Sequence, residues 1–219
     1  PQGSPKPVIT FTTPFGIPVF SINFAKSNIT AGANSDDLST TVFPIASAGA
    51  SFVAANNMVG SEPTRYAVVR YGNVVGSRGS VLPYFLRLRN ESADCLPITD
   101  LDMTRFWITL NQGIEFVLNA FNRMKGGEIF VPKIPSYKIL DLAKAVAPDC
   151  KYEIVGIRPG EKLHEEMITE TDALNSVEFE KYFVILPSTQ LWDIDKFRKE
   201  SDSSLGEMCE YGFSYNSGT

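Results

Sequence analysis

A glycine-rich turn in the segment RYAVVRYGNVVGSRGSVLPYF, residues 65–85, supplies backbone groups of the kind that bind anions. Residues 66–71 are almost entirely apolar and β-prone, as expected of a parallel strand that is covered on both faces. Three glycines follow: Gly72, Gly76 and Gly79. Glycine lets the backbone turn sharply and approach a ligand closely. Ser80 and Pro83 then favour the start of a helix, whose N-terminal N–H groups and dipole attract an anion.

The spacing of these glycines, G-x3-G-x2-G, is similar to that of a dinucleotide-binding turn. That fingerprint requires a βαβ unit and an acidic residue about 20 positions further on. Asp100 and Asp102 lie at such a distance, but no second parallel strand clearly ends there. The turn therefore fits a sugar-nucleotide or accessory cofactor loop better than a pyrophosphate turn. An ordinary glycine turn in an α/β domain explains it equally well.

Three arginines at predicted strand ends or in loops, Arg78, Arg105 and Arg158, are candidates for binding a diphosphate. The guanidinium fork binds phosphate oxygens in a bidentate manner and stays charged. Taken one at a time, each arginine is also explained as the partner of a surface salt bridge.

Other polar residues lie near this turn or near Arg158. Tyr71 and Asn73 flank Gly72 at the carboxyl end of the first predicted strand, where open α/β sheets bind ligands. Asn73 is the better candidate, because its amide both donates and accepts hydrogen bonds. Glu161 could accept hydrogen bonds from a ribose diol, but a position at a helix N-terminus explains it better. His164, the only histidine, has acidic neighbours and no nucleophile at a suggestive spacing, so a solvated helix face is the better interpretation.

Composition excludes several classes of function. The net charge of −5 gives no basic field that would attract nucleic acid. No apolar run approaches the length of a membrane span, which is about 20 residues. The three cysteines, Cys95, Cys150 and Cys209, contain no CxxC pair, so neither a zinc site nor a disulfide framework is expected. These features predict a soluble protein of a reducing compartment such as the cytoplasm.

The predicted elements alternate between strand and helix, which indicates an α/β fold. Strands or extended pieces are predicted at 66–71, 96–99, 103–108, 128–131, 152–157 and 182–186. Helices are predicted at 46–59, 81–90, 109–125, 136–147 and 163–168. Thr109 and Gln112 have the spacing of a capping box, and Ser136 is suited to cap the helix after it. Residues 1–45 contain several prolines and are expected to be loose or at a sheet edge.

Five stretches in order resemble one enzyme family. They are RYGNVVGSRGSVLPYF, LPITDLDMTRFWITLNQGIEFVL, GGEIFVPKIPSYKILDLAKAVAP, IRPGEKLHEEMI and FVILP. Together they resemble the inverting UDP-N-acetylglucosamine 4,6-dehydratases, extended short-chain dehydrogenases of the CapD-like polysaccharide-biosynthesis group. The resemblance covers about residues 52–187. It implies a Rossmann-type domain with a smaller C-terminal substrate domain.

The resemblance also divides the chain into three parts. It makes 1–45 a poorly ordered or degenerate remnant of the dinucleotide-binding domain. It makes 46–187 the end of that domain plus the substrate domain, and 188–219 a polar C-terminal tail. Members of this family are commonly homo-oligomers and serve the biosynthesis of surface polysaccharide or nonulosonic acid sugars.

The resemblance further implies roles for matched residues. The NADP cofactor would lie against Val74, Val75, Gly76, Ser77 and Arg78. The substrate, UDP-N-acetylglucosamine, would contact Asn73, the backbone of Val81, a lip over uracil at 96–99 that ends in Thr99, the diphosphate-binding Arg105 and Arg158, and the ribose-binding Glu161. No metal ligands are implied.

Two motifs of the family are missing from this sequence, and their loss affects the chemistry. The family reaction removes hydride from C4 to NADP+, eliminates water across C5–C6 and returns hydride at C6 with inversion at C5. Its first step needs a base supplied by a YxxxK pair, yet no tyrosine here is followed four residues later by lysine. No TGxxGxxG turn is present either. We therefore expect no catalytic residues, weak binding of NADP, and an N-terminally incomplete copy of such an enzyme. A non-catalytic sugar-nucleotide-binding module and an inactive truncated product are the alternatives.

Overall fold

A computed structural model describes residues 65–189 and 192–219, and the backbone of three strands before them. These three are β1 (Val8–Phe11), β2 (Phe20–Asn23) and β3 (Thr40–Ile45). The other strands are β4 (Arg65–Arg70), β5 (Asn73–Val74), β6 (Cys95–Ile98), β7 (Thr104–Ile108), β8 (Ile129–Pro132), β9 (Ser136–Lys138), β10 (Lys151–Ile154), β11 (Glu166–Ile168), β12 (Ser176–Glu178), β13 (Tyr182–Ile185), β14 (Glu207–Met208) and β15 (Tyr215–Asn216). The helices are α1 (Val81–Asn90), α2 (Leu110–Arg123), α3 (Ile139–Val146), α4 (Glu170–Ala173) and α5 (Ile194–Glu200).

A six-stranded sheet in the order β14-β12-β13-β8-β4-β3 forms the base of the described fold. Strands β3, β4 and β8 run parallel, and β13, β12 and β14 continue the sheet in antiparallel fashion. Ala67, Val68 and Val69 of β4 are buried, as a parallel strand covered on both faces requires. The strand predicted at 66–71 is therefore confirmed.

Two smaller sheets contain strands β5, β6, β7, β9 and β10. Strands β5, β7 and β9 form a three-stranded sheet, with β5 parallel and β9 antiparallel to the central β7. Strands β6 and β10 form a parallel pair, and helices α1 and α3 pack together beside them. Phe85, Leu96, Ile98 and Leu142 share one apolar core there. This core fixes α1 against β6, and the two elements later form walls of a cleft.

Two predicted helices appear nearly as the sequence indicated. Helix α1 spans 81–90 as predicted. At the start of α2 the Thr109 hydroxyl accepts from the Gln112 N–H, and the Gln112 side chain accepts from the Thr109 N–H, so the capping box is confirmed. Val117 faces the core, whereas Ile114 and Leu118 are 37% and 42% exposed. The predicted apolar face of α2 is thus only partly buried.

Three predictions of local structure are wrong, and tertiary pairing explains each error. Residues 136–138 form β9 beside β7, so α3 begins at Ile139 and Ser136 does not cap it. The chain at 163–168 forms no helix, because Glu166–Ile168 pairs with Tyr215–Asn216 instead. The predicted polar tail contains helix α5 and two paired strands, and Phe197 in α5 is buried.

The predictions for the N-terminal part have mixed outcomes. The helix at 46–59 and the side chains before Ala67 lie outside the described residues, so the expected loose packing of 1–45 stays a prediction. Strands β1 and β2 form a separate antiparallel pair. Strand β3 was not predicted, and it is the edge strand of the described sheet, where Pro44 is tolerated. Within the described part of the chain, no helix is long and apolar enough to cross a membrane.

Substitution of Gly72 tests the close approach of the chain between β4 and β5 to Phe106 on β7. A Cβ added at Gly72 would lie 2.4 Å from the Phe106 Cβ and 3.0 Å from the Phe106 carbonyl carbon. Because backbone of β7 must then move, we expect Gly72→Ala to lower the free energy of unfolding by about 3 kcal/mol in urea titration. Gly113→Ala on α2 meets no atom within 4 Å and should raise it by about 0.5–1 kcal/mol. Equal stabilities of the two variants would contradict this packing.

Candidate functional site

A cleft lies between the glycine-rich turn, helix α1, strand β6 and the loop after β10. It consists of a large cavity of about 660 Å³ and a small cavity of about 200 Å³. The two cavities share six lining residues: Gly79, Ser80, Val81, Thr99, Ile139 and Glu161. This shared wall makes them two halves of one concave surface.

The glycine-rich turn is held by pairing on one side and by α1 on the other. Asn73 and Val74 pair with Trp107 and Ile108 of β7, and the Val75 N–H donates to the Ile108 carbonyl at 2.9 Å. Gly76 and Gly79 then take φ values of 71° and 81°, in the left-handed region that favours glycine. The turn therefore leads from the carboxyl end of β5 directly to the first turn of α1, with its backbone in the cleft.

Arg105 lies on β7 in the wall of the small cavity and is only 8% exposed. Its Nη1 donates to the Thr104 carbonyl at 2.7 Å and to the Leu163 carbonyl at 3.1 Å. Its Nη2 lies 3.6 Å from the Glu161 Oε1, and its Nε lies 3.4 Å from the Glu165 Oε1. Two carboxylates and two carbonyls thus satisfy most of the buried guanidinium.

Arg158 and Glu161 come from one tight turn after β10. The Glu161 N–H donates to the Arg158 carbonyl at 3.0 Å, and the Arg158 N–H donates to the Glu161 carboxylate at 3.3 Å. Gly160, with a φ of 82°, closes the turn. Arg158 is exposed, lines the large cavity and has no acidic partner among the described residues. Glu161 therefore stands between a neutralised arginine and a free one.

The structure brings most of the sequence-predicted site residues to this cleft. Asn73, Val74, Val75, Gly76 and Arg105 line the small cavity, Arg158 lines the large cavity, and Val81, Thr99 and Glu161 line both. Ser77 and Arg78 line neither cavity. The predicted set therefore falls into a main group on one surface and two residues beside it.

His164 lies in a different setting from the solvated helix face that the sequence indicated. It is partly buried, in a segment without helix, and its Nδ1 is 2.7 Å from the Thr104 Oγ1. The Thr104 Oγ1 is in turn 2.7 Å from the Ser217 Oγ, which accepts from the Glu165 N–H at 2.9 Å. The prediction for His164 is wrong because residues 215–217 cover this segment. These contacts hold the segment that carries the carboxylates facing Arg105.

The cleft residues that sequence reasoning missed include Tyr84, Arg87, Trp107 and Tyr137. The centroids of the Trp107 and Tyr137 rings lie 4.5 Å apart, and both residues line the small cavity. Burial raises the pKa of Tyr137, while the nearby Arg105 charge lowers it by less. Only the pairing of β7 with β9 brings these rings together, and no local pattern signals that pairing. Among the described residues, no group of three His, Cys, Asp or Glu could hold a metal ion.

Comparison with known proteins identifies relatives of the chain. Residues 45–187 match the sequence profile of a family described as polysaccharide biosynthesis protein. A UDP-N-acetylglucosamine 4,6-dehydratase (inverting) of Campylobacter jejuni is 56% identical over 167 residues, 76% of this chain and 50% of that protein. A UDP-glucose 4-epimerase of Rickettsia canadensis is 32% identical over 163 residues, 73% of this chain and 48% of that protein. The chain thus spans about half the length of these curated relatives.

A solved structure shares the fold. The X-ray structure of Pen from Bacillus thuringiensis has a TM-score of 0.64 and 33% sequence identity, covering 76% of this chain and 49% of that chain. The predicted α/β fold class and the family resemblance are therefore both confirmed.

Replacement of Arg105 tests how far the cleft depends on its buried charge. Arg105→Met keeps most of the stem volume but removes every donor, leaving Glu161 and Glu165 without their cation. We expect the free energy of unfolding to fall by about 2–3 kcal/mol, measured by chemical denaturation. Arg158→Met, at an exposed position where no described side chain pairs with the guanidinium, should change it by less than about 0.5 kcal/mol. Similar losses at both positions would contradict the assigned role of Arg105.

Proposed function

Because the chain belongs to the polysaccharide biosynthesis protein family, we propose that it is the substrate-binding part of an NADP-dependent UDP-N-acetylglucosamine 4,6-dehydratase of the C5-inverting kind. The observation that carries this proposal is the cleft. Its lining combines a glycine-rich backbone, an unpaired arginine and polar side chains from four separate stretches of the chain. A diphosphate linked to a sugar and a nucleoside needs this combination of groups.

Each lining residue has a role that its chemistry suits. Arg158 binds diphosphate oxygens through its guanidinium fork, and Arg105 supplies a second fork once the ligand competes with the carboxylates. Asn73 contacts the sugar, because an amide can both donate and accept. Glu161 accepts hydrogen bonds from the ribose diol. The backbone of Val81 contacts substrate, and Thr99 ends the lip over uracil.

The volumes of the cavities favour this assignment of ligands. The volume of the large cavity, about 660 Å³, falls in the range of typical ligand sites, which is about 300–1,000 Å³. The small cavity, of about 200 Å³, is below that range, so Val74, Val75 and Gly76 fit only one end of a dinucleotide. The nicotinamide end of NADP would lie there, with Ser77 and Arg78 beside it.

A non-catalytic sugar-nucleotide-binding module is the second candidate, favoured by one observation. The sequence has no YxxxK pair to act as the base of the first step. Binding of UDP-N-acetylglucosamine without turnover, in the presence of NADP, would support this candidate. Turnover by the chain alone would reject it, and failure to bind the sugar nucleotide at all would leave the inactive truncated product.

The diphosphate role of Arg158 gives a direct test. Arg158→Ala should weaken UDP binding by about one to two orders of magnitude in calorimetry, the effect of a lost charge-assisted hydrogen bond. Arg158→Lys should recover little of this loss, because lysine lacks the fork. Lys151→Ala removes a charge from the neighbouring exposed strand β10 and should bind UDP as the parent does. Unchanged UDP binding in Arg158→Ala would refute the proposed site.

The cofactor proposal gives a second test. We expect calorimetry with the 219-residue chain to give weak or undetectable NADP binding, since the sequence has no TGxxGxxG turn for the pyrophosphate and the turn at 74–76 suits only one end of the cofactor. Nicotinamide mononucleotide should then bind about as well as NADP. Tight NADP binding would show that other parts of the chain hold the adenosine half.

A further inference from the structure

A second arginine with no acidic partner lines the large cavity. Arg87, on helix α1, is exposed and forms no ion pair with any described residue. The same holds for Arg158 on the other side of that cavity. Because the whole chain has a net charge of −5, two unneutralised arginines in one cavity are a local departure from its overall charge.

Helix α1 gives Arg87 its direction. Val81, Tyr84 and Arg87 are three residues apart, lie on one side of the helix and all line the large cavity. The Arg87 guanidinium carbon lies 5.4 Å from the centre of the Tyr84 ring, a cation–π contact that restrains the side chain. Phe85 of the same helix, which also lines the large cavity, is 1% exposed and anchors α1 in the core. The cationic group is therefore held by a rigid element.

The helix dipole offers a simpler explanation for basic residues in the last turn of α1. Arg89 fits that explanation, because its Nη1 donates to the Val146 carbonyl at 3.2 Å and it lines neither cavity. Arg87 also lies in the last turn, but the dipole gives no reason for its place in the cavity wall. Arg89 thus has a structural role, whereas the position of Arg87 suits ligand binding.

The distribution of charge in the cleft points to where an anion binds. Arg105 faces two carboxylates and is buried, so its field is largely neutralised before any ligand arrives. Among the described residues, the lining of the large cavity instead includes two arginines without an acidic partner and one carboxylate, that of Glu161. An anion with several oxygens therefore forms more hydrogen bonds with the guanidinium groups of Arg87 and Arg158 than with that of Arg105, whose donors already have partners.

We propose that Arg87, together with Arg158, binds the phosphoryl oxygens of a nucleoside diphosphate sugar in the large cavity. This inference rests on the proposed function and adds a binding residue that the family resemblance does not supply. Arg105 remains a further fork, which reaches the ligand once it releases Glu161 and Glu165. Tyr84 orients the Arg87 guanidinium.

Calorimetry on the full 219-residue chain tests the role of Arg87, with UDP-N-acetylglucosamine and inorganic pyrophosphate as probes. Arg87→Gln should weaken the binding of both by about 10- to 100-fold, and Arg87→Lys should regain only part of the loss. Arg89→Gln is the matched control, because it removes the same charge two residues away, outside the cavity. It should bind both probes within about twofold of the parent.

The outcomes separate this inference from the proposed function. If the parent binds the sugar nucleotide and Arg87→Gln binds it equally well, the inference is overturned while the function stands. An equal loss in Arg87→Gln and Arg89→Gln would also overturn it, since general electrostatics would then explain the effect. If Arg87 governs pyrophosphate binding but the parent does not bind the sugar nucleotide, the anion site stands and the nucleotide-sugar function falls. A parent that binds neither probe refutes both.

Discussion

The buried guanidinium of Arg105 is the constraint that joins the three-stranded sheet to the segment 161–165. A charge at 8% exposure must be matched, and here two carboxylates and two carbonyls match it. These partners come from β7 itself and from the segment 161–165. The chain between β10 and β11, which contains no regular structure, is thereby fixed against the three-stranded sheet.

This arrangement also makes the distribution of charge in the cleft asymmetric. Glu161 is drawn toward the neutralised side by Arg105, while Arg158 on the same turn stays free on the other side. A ligand with a polyanionic centre therefore meets a cationic half and a mixed half within one concave surface. Such a gradient favours one orientation of an asymmetric ligand, because reversal would place its phosphates against carboxylates.

Local sequence patterns predicted those features that depend on neighbouring residues. The capping box at Thr109 and Gln112, the span of α1 and the buried strand β4 all appear as expected. The patterns failed where distant strands pair: β9 replaced a helix start at Ser136, and residues 215–217 changed the setting of His164. Residue type and position singled out Asn73, Arg78, Arg105 and Arg158 as candidates. Only the resemblance joined them with Glu161 into one predicted site, since neither periodicity nor spacing links Asn73 to Glu161. Arg87 escaped notice because a helix with several basic residues does not show which of them faces a cavity.

The contact between Thr104 and Ser217 has a consequence for the order in which the chain folds. Their hydroxyl oxygens lie 2.7 Å apart across 113 positions of sequence, and Ser217 also receives the N–H of Glu165. During synthesis, β7 and the segment 161–165 leave the ribosome well before residues 215–217. The carboxylates that face Arg105 therefore obtain their final support only after residues 215–217 have been synthesised.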